Sequence, residues 1–272
     1  MKVTYNREIH FTLSIKKLVE KYGKAFDAHY FAPSVTEYGI PDIVYKNSKS
    51  YNQNIQDELD ELKITLENPP EPSEAEELEY FNLLLKATTE YNVKQPSTLH
   101  ELYALGRYEV LGTLENGVFW SVLPRLKKSW GITQELFGNY FNTNTKFCSL
   151  FSELEGCGCQ FGNFTPTYGG VYLVNPPFEK RYITWTCERL LLWLNDKKIK
   201  NVKFYVIIPV WDKPSREKLK LSVEYGDVPL LTEVLNSPYL IEHNMTKMKF
   251  YDFVNKKEVP QQSYIHTITF SK

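Results

Sequence analysis

Cysteine is scarce in this chain, and long apolar runs are missing from it. Its 272 residues hold four cysteines, Cys148, Cys157, Cys159 and Cys187, with no CxxC pair and no histidines at ligand spacing. Neither a zinc module nor a disulfide framework is indicated, so no metal is expected and the thiols should be reduced and mostly buried. The longest apolar stretches, such as residues 190–194 and 206–210, fall far short of the roughly 18 residues that span a bilayer. Lys2, Arg7 and Glu8 open the chain with no apolar segment behind them, which is not the pattern of a secretory signal. An intracellular protein without a membrane anchor is expected; nucleus, cytoplasm and viral factory are not distinguished.

A dominant charge is lacking too. Lys and Arg number 32 against 33 Asp and Glu, a formal net charge of -1, which argues against a broad grip on nucleic acid. That average hides a split. Residues 1–120 carry 12 Lys and Arg against 19 acids, net -7, and residues 121–272 carry 20 against 14, net +6. Ten acids and one lysine lie between Asp57 and Glu79, most simply a solvated helix face. With 42% hydrophobic and 15% aromatic residues the chain is not disordered. Its length suits one large α/β domain with an appendage, or two modest domains.

Apolar spacing predicts a helix over residues 13–30, with Ser14 as a possible cap and Pro33 beyond its end. Two more are expected over residues 57–66 and 75–88, separated by Pro69, Pro70 and Pro72, which neither can contain. From about residue 98 the texture changes, so an N-terminal helical region over 1–97 is set apart from an α/β domain over 98–272. Within the latter, helices are expected over 103–111 and 118–130. Residues 170–174 (GVYLV) and 202–208 (VKFYVII) read as buried parallel strands flanking an amphipathic helix over 179–194. Such a unit should cross over with a right hand. Residues 247–253 and 264–270 alternate polar and apolar and read as a closing antiparallel pair.

Chemistry concentrates at Asn175-Pro176-Pro177-Phe178, straight after the first buried strand. Ligands of open α/β sheets sit beyond the carboxyl ends of strands. Two prolines fix φ and remove two donors, leaving a rigid, acceptor-rich notch. The Asn175 side-chain oxygen and the Pro176 carbonyl can each accept one hydrogen of a planar exocyclic amine, with Phe178 stacked on the base that bears it. Adenine suits this arrangement. Two acceptors placed for both amino hydrogens favour a pyramidal nitrogen whose lone pair can attack a methyl group in line. The methyl donor matching that chemistry is S-adenosylmethionine, whose sulfonium gains cation–π attraction from neighbouring rings.

The four residues resemble the [DNS]PP[YFW] motif of amino-methyltransferases, and the surrounding text is similar to one branch, the phosphorylated-CTD-interacting-factor family of cap-specific adenosine N6-methyltransferases. Residues 135–142 (ELFGNYFN) resemble that family's E-C-F-A-S-P-L-N, agreeing at Glu135, Phe137 and Asn142. Residues 147–151 (FCSLF) resemble Y-C-S-A-F, residues 208–211 (IPVW) resemble I-P-E-W, and His266 stands where the family has a histidine in its last strand. The likeness covers about residues 100–270. It implies a Rossmann-like class I methyltransferase core with an N-terminal helical domain, which methylates N6 of the (2'-O-methyl)adenosine next to an mRNA cap. It also implies that Asn175, Pro176, Pro177 and Phe178 bind the target adenine. Glu135, Phe137, Gly138, Asn139 and Asn142 would lie against S-adenosylmethionine. Two departures are plain: Gly138-Asn139-Tyr140 replaces A-S-P, and the glycine-rich first loop usual in this class is absent.

Further candidates flank these. Methyltransferases of this class commonly hold the cofactor ribose with an acid after the second strand, where Glu153 and Glu155 stand; a solvated turn is the competing reading. Trp211 leaves a strand on the notch side and can stack a base or the cap, or belong to the core. Lys180, Arg181, Lys213 and Arg216 lie near enough in sequence to contact phosphates of a capped RNA. His266 is a candidate substrate contact, although a packed strand histidine is the more ordinary role. The acidic helical part is left as a surface for a protein partner. Two other functions stay open: a DNA or internal-RNA adenine methyltransferase, since the notch reads only the amine, and an inactive binding module that keeps the fold.

Overall fold

A computed structural model describes residues 4–23, 52–90, 94–111, 116–118, 128–141, 143, 145–155, 163–178, 180–221, 227–252 and 257–272, without the side chains of 90, 116–118, 181, 248–252 and 257–263. Capping residues set several of its helix starts. α1 spans Tyr5–Tyr22 and ends at Gly23, whose φ of 50° suits a residue without a Cβ. α2 (Gln53–Glu67) is capped by Asn52, whose side chain accepts from the Asn54 amide. α3 (Glu74–Glu90) follows Ser73, which exchanges hydrogen bonds with Glu76. α4 (Leu99–Val110) opens on a full capping box between Thr98 and Glu101.

The expected helix over residues 13–30 starts eight residues earlier, and Ser14 lies inside α1. α1 packs against α2, α3 and α4, so its burial runs almost all round and includes Arg7, Glu8 and Thr12. No clean apolar stripe marks its first two turns. The part of that expectation over residues 24–30 lies outside the described residues.

One mixed sheet follows, in the order β1-β6-β7-β5-β4-β2-β3. Its strands are β1 (Asn116–Val118), β2 (Gln134–Glu135), β3 (Lys146–Phe147), β4 (Val171–Val174), β5 (Lys203–Pro209), β6 (Leu240–Asp252) and β7 (Lys257–Ser271). β3, β2, β4 and β5 run parallel, while β7 runs antiparallel to both β5 and β6. β6 therefore points the same way as β5. Both members of the expected closing pair are longer than their apolar alternation shows. Val118 is in β1, antiparallel to β6, and not in the expected helix over 118–130; residues 128–130, the end of that span, are helical, and 119–127 lie outside the described residues.

α6 (Lys180–Asn195) bridges β4 and β5 and buries Ile183, Cys187, Leu190, Trp193 and Leu194 on one face of the sheet. α8 (Pro229–Leu235) joins it there through Leu231 and Val234, and α7 (Lys213–Leu219) follows β5. On the opposite face, Leu173, Ile207 and Ile265 pack with Trp130, Ile132, Tyr205 and Phe178. Trp130 stacks on Tyr205 with centroids 4.6 Å apart and planes 6° from parallel.

The helical cluster is not separate from the sheet. Phe141, Phe151 and Leu154 share its core with Ile9, Leu59, Tyr80 and Tyr103; Leu154 lies on α5 (Ser152–Glu155). α4 buries Tyr103, Ala104, Leu105 and Tyr108 in that same core, so the expected boundary at 97/98 falls just ahead of a helix that packs with α1 and α3. Among the described residues no helix is long and apolar enough to cross a membrane.

Candidate active site

Strand order reverses between β2 and β4. From β2 the chain moves outward to β3, then returns past β2 to lay down β4 and β5. Loops leave the carboxyl ends of β2 and β4 in opposite directions there, and in such sheets the crevice between loops of that kind is the usual ligand position. The register pairs Glu135 with Leu173, so residues 136–139 and 175–178 leave neighbouring strand ends together.

Asn175 is half-buried, yet its Oδ1 is enclosed and has no hydrogen-bond partner among the described residues. An enclosed amide oxygen normally has one. Pro176 is buried, Pro177 is exposed, and half-buried Phe178 packs against the clusters on both faces of the sheet. The notch is thus wedged at the sheet edge with one strong acceptor unspent.

On the β2 side Glu135 is buried, and its carbonyl accepts from the Cys148 amide at 2.8 Å. Phe137 meets Tyr182 of α6 edge-on, with centroids 6.4 Å apart. Gly138 donates its amide to the Cys148 carbonyl at 3.0 Å; a Cβ there would lie 2.9 Å from the Phe147 Cβ and 3.5 Å from the Glu135 Cγ. Close packing on β3 thus demands the glycine. Asn139 turns its Oδ1 back onto the Phe141 amide at 2.9 Å, an Asx turn. Asn142 lies outside the described residues.

The acids after β3 face the helices and are not a solvated turn. Glu153 accepts from Arg107 Nη1 at 2.7 Å, and Arg107 also bonds both carboxylate oxygens of buried Glu8. Glu153 is thereby committed to an ion cluster that joins α1, α4 and α5. Glu155 accepts from the Tyr140 amide at 2.6 Å, from Tyr108 Oη at 2.7 Å and from Ser149 Oγ. Burial pushes its carboxyl up to about 7, against the pull of those hydrogen bonds. Glu155 therefore ties the end of the β2 loop to α4, a role not legible as a cofactor contact.

Two strand ends further along, Trp211 leaves β5 half-buried against the main cluster, and its carbonyl accepts from the Val228 amide at 2.9 Å. Next to it, buried Asp212 caps α7 through the Ser215 amide and accepts from His266 Nε2 at 2.7 Å. His266 Nδ1 in turn lies 2.8 Å from His243 Nε2. Burial would raise the Asp212 carboxyl, but the bonds from His266 and Ser215 outweigh it and hold it at about 2. Burial, with the neighbouring His266, lowers His243. His266 is fully buried, so it braces the Trp211 exit from beneath and does not reach a substrate.

Of the expected phosphate contacts, Lys180 and Lys213 are exposed. Arg216 is a correction: it is buried and pairs with Asp227 at 3.4 Å. The side chain of Arg181 lies outside the described residues. Cys148 and Cys187 are buried free thiols, the latter pushed by burial up to about 12, whereas Cys157 and Cys159 lie outside the described residues. No cluster of His, Cys, Asp and Glu suited to a metal occurs among the described residues. Sequence reasoning missed Asp212 and His243; the Asp-x-x-Ser spacing after a strand signals the cap, but nothing local signals the histidine link.

A family model described as phosphorylated CTD interacting factor 1 WW domain matches residues 84–239. No curated protein matches the chain. The matched span covers α4, both crevice loops, the Trp211 exit and more than half of the chain, and on that basis the protein belongs to the phosphorylated CTD interacting factor 1 family.

Proposed function

We propose that the protein is an S-adenosylmethionine-dependent adenosine N6-methyltransferase acting on the nucleotide next to an mRNA cap. The observation that carries this reading is the enclosed, unpartnered Oδ1 of Asn175 beside half-buried Phe178. An enclosed acceptor without a partner costs about 1–3 kcal/mol in a resting protein; an exocyclic amine entering the crevice removes that cost. Asn175 Oδ1 and the Pro176 carbonyl then hold the two amine hydrogens, Phe178 supports the ring, and the nitrogen lone pair is turned out of conjugation. The prolines keep the acceptors from reorganising as charge develops.

A strand-order reversal with loops from both strands is what a Rossmann-like core requires, and it supports the reading. The donor fits the β2 side of the crevice, where Phe137, Gly138 and Asn139 would hold it. When bound it supplies an electrophilic methyl carbon on a sulfonium. Glu155 is buried with both carboxylate oxygens bonded, and Glu153 gives one oxygen to Arg107, so a ribose held by Glu153 would share its carboxylate with that ion pair. Exposed Lys180 and Lys213 beside the crevice suit the phosphates at a capped end, and the net charge of +6 over residues 121–272 suits a short contact. Residues 1–120, net -7, repel a phosphorylated tail, so a phosphorylated partner of the kind in the family's name fits the basic part better.

Incubation with methyl-labelled donor and capped oligonucleotides beginning with adenosine or 2'-O-methyladenosine should yield N6-methyladenosine. Equal labelling of uncapped RNA or DNA would refute cap specificity and leave amine methylation standing. Donor binding by calorimetry without any turnover would point to the inactive binding module. Asn175→Ala should abolish turnover without lowering the melting temperature, since Oδ1 has no hydrogen bond to lose among the described residues; retained turnover would refute the role of the notch.

A further inference from the structure

α3 is apolar on two faces. One of them, with Tyr80, Leu83, Leu84 and Ala87, is buried in the helical cluster where α3 packs on α1 and α4. On another side of the helix stand Leu78, Phe81 and Leu85, which are 61%, 61% and 50% exposed. Their spacing of three and four residues lines them along one stripe. Isolated exposed apolar residues need no explanation, but a file of three over two turns has the spacing of anchors by which one helix docks on another.

Charge around the stripe selects the kind of helix. α3 opens with Glu74, Glu76 and Glu77, and Glu74 stands one turn ahead of Leu78 on the same side of the helix. Ten acids and one lysine lie between Asp57 and Glu79. Some are already neutralised, Glu79 by Lys16 and Glu58 by Lys21, but the net charge over residues 1–120 stays at -7. The nearest cation along α3, Lys86, is held by Glu109 at 2.7 Å. A second copy of this chain would bring two such acidic faces together, and an acidic or phosphorylated peptide would meet the same repulsion.

We propose that this face docks a basic amphipathic helix of a partner protein, with apolar residues on Leu78, Phe81 and Leu85 and lysine or arginine against the acids around them. The inference does not rest on methyl transfer, and its test contains no methylation step.

The probe is a fluorescein-labelled amphipathic peptide of leucine and lysine at helical spacing, titrated against the full chain by anisotropy. Binding should weaken about tenfold or more in Phe81→Ser/Leu85→Ser and for a scrambled peptide of equal composition, and should fall as salt rises. Circular dichroism establishes that the variant is folded, as expected for exposed positions. Should it fail to fold, amide exchange on the wild-type chain decides: the peptide must slow exchange within residues 74–90. Absence of binding, equal binding by the variant or the scrambled peptide, or tighter binding of a serine-phosphorylated acidic peptide would overturn the proposal. So would a wild-type dimer in light scattering that the double substitution dissociates, because a second copy would then be the occupant.

Discussion

Glu155 should make the protein less stable as pH rises through neutrality. Its carboxylate is enclosed between α4 and the β2 and β3 exits, with hydrogen bonds from Tyr140, Tyr108 and Ser149. Burial outweighs those bonds and raises the group from an ordinary 4.5 to about 7. The native state therefore binds this proton more tightly than the unfolded chain does. Its contribution is fully present below about pH 4.5 and is lost as pH climbs through about 7. At 1.36 kcal/mol per tenfold change in proton affinity, the gap is about 3 kcal/mol. Glu155→Gln removes the titration while keeping an oxygen for the Tyr140 amide and gaining an amide for the hydroxyls. Urea unfolding of both proteins from pH 5 to 8 should show the wild type losing about 2.5 kcal/mol relative to the variant, the share of that gap which falls in this window. Parallel pH curves would refute the burial argument, and a wild type that gains stability would show that the three donors win.

The other expectations concern the frame of the crevice. Asp212→Ala removes the α7 cap, worth about 1 kcal/mol, and a hydrogen bond of charged type to buried His266, worth about 1.5–3 kcal/mol; denaturant unfolding at pH 7 should show a combined loss of about 3 kcal/mol. Because the Asp212 carboxyl lies below its ordinary range, at about 2, its contribution is present above about pH 4 and fades as pH falls through about 2; an acid titration in which the variant loses stability as steeply as the wild type would contradict this. Gly138→Ala should cost about 1–3 kcal/mol, since its new Cβ meets the Phe147 Cβ at 2.9 Å. Gly106→Ala should cost less, because the atom it meets at 2.7 Å is the tip of the Leu84 side chain; equal losses in thermal melts would refute that distinction.

What the sequence reveals depends on whether a signal is local. β4, α6 and β5 are legible because their apolar residues are continuous or regularly spaced and the Asn-Pro-Pro break separates them. The start of α1 is misplaced because its first two turns are buried on nearly every side and carry no apolar period, and because buried Glu8 and Arg7 look like surface residues. The same limit governs the site. Asn175 and Phe178 announce themselves by composition and place after a strand. Glu153 can be picked out as an acid after a strand, but its partner Arg107 is 46 residues away. Asp212 and His266 are 54 apart. Arg216 looks free until the fold brings Asp227 to it. Pairings of this kind exist only once the fold has closed, so the elements are more legible than the bonds between them.

Those bonds also decide what the helical part is for. If it were an appendage, cutting ahead of α4 would leave an intact core. Instead Tyr103, Ala104 and Leu105 of α4 would lose the α1 and α3 surfaces that bury them, and Arg107 would lose Glu8 at 2.6 Å. The damage would not stop there. Arg107 also holds Glu153 on α5, and two residues on Glu155 holds Tyr140 at the end of the β2 loop. The ring of Tyr140 lies under Lys94 at 3.8 Å, and its hydroxyl is 3.3 Å from Ser97. The loop proposed to hold the methyl donor thus takes its shape from both halves of the chain. An acidic helical half is compatible with the proposed nucleic-acid site because it braces the crevice from the inside and leaves the proposed phosphate contacts to exposed Lys180 and Lys213 of the other half.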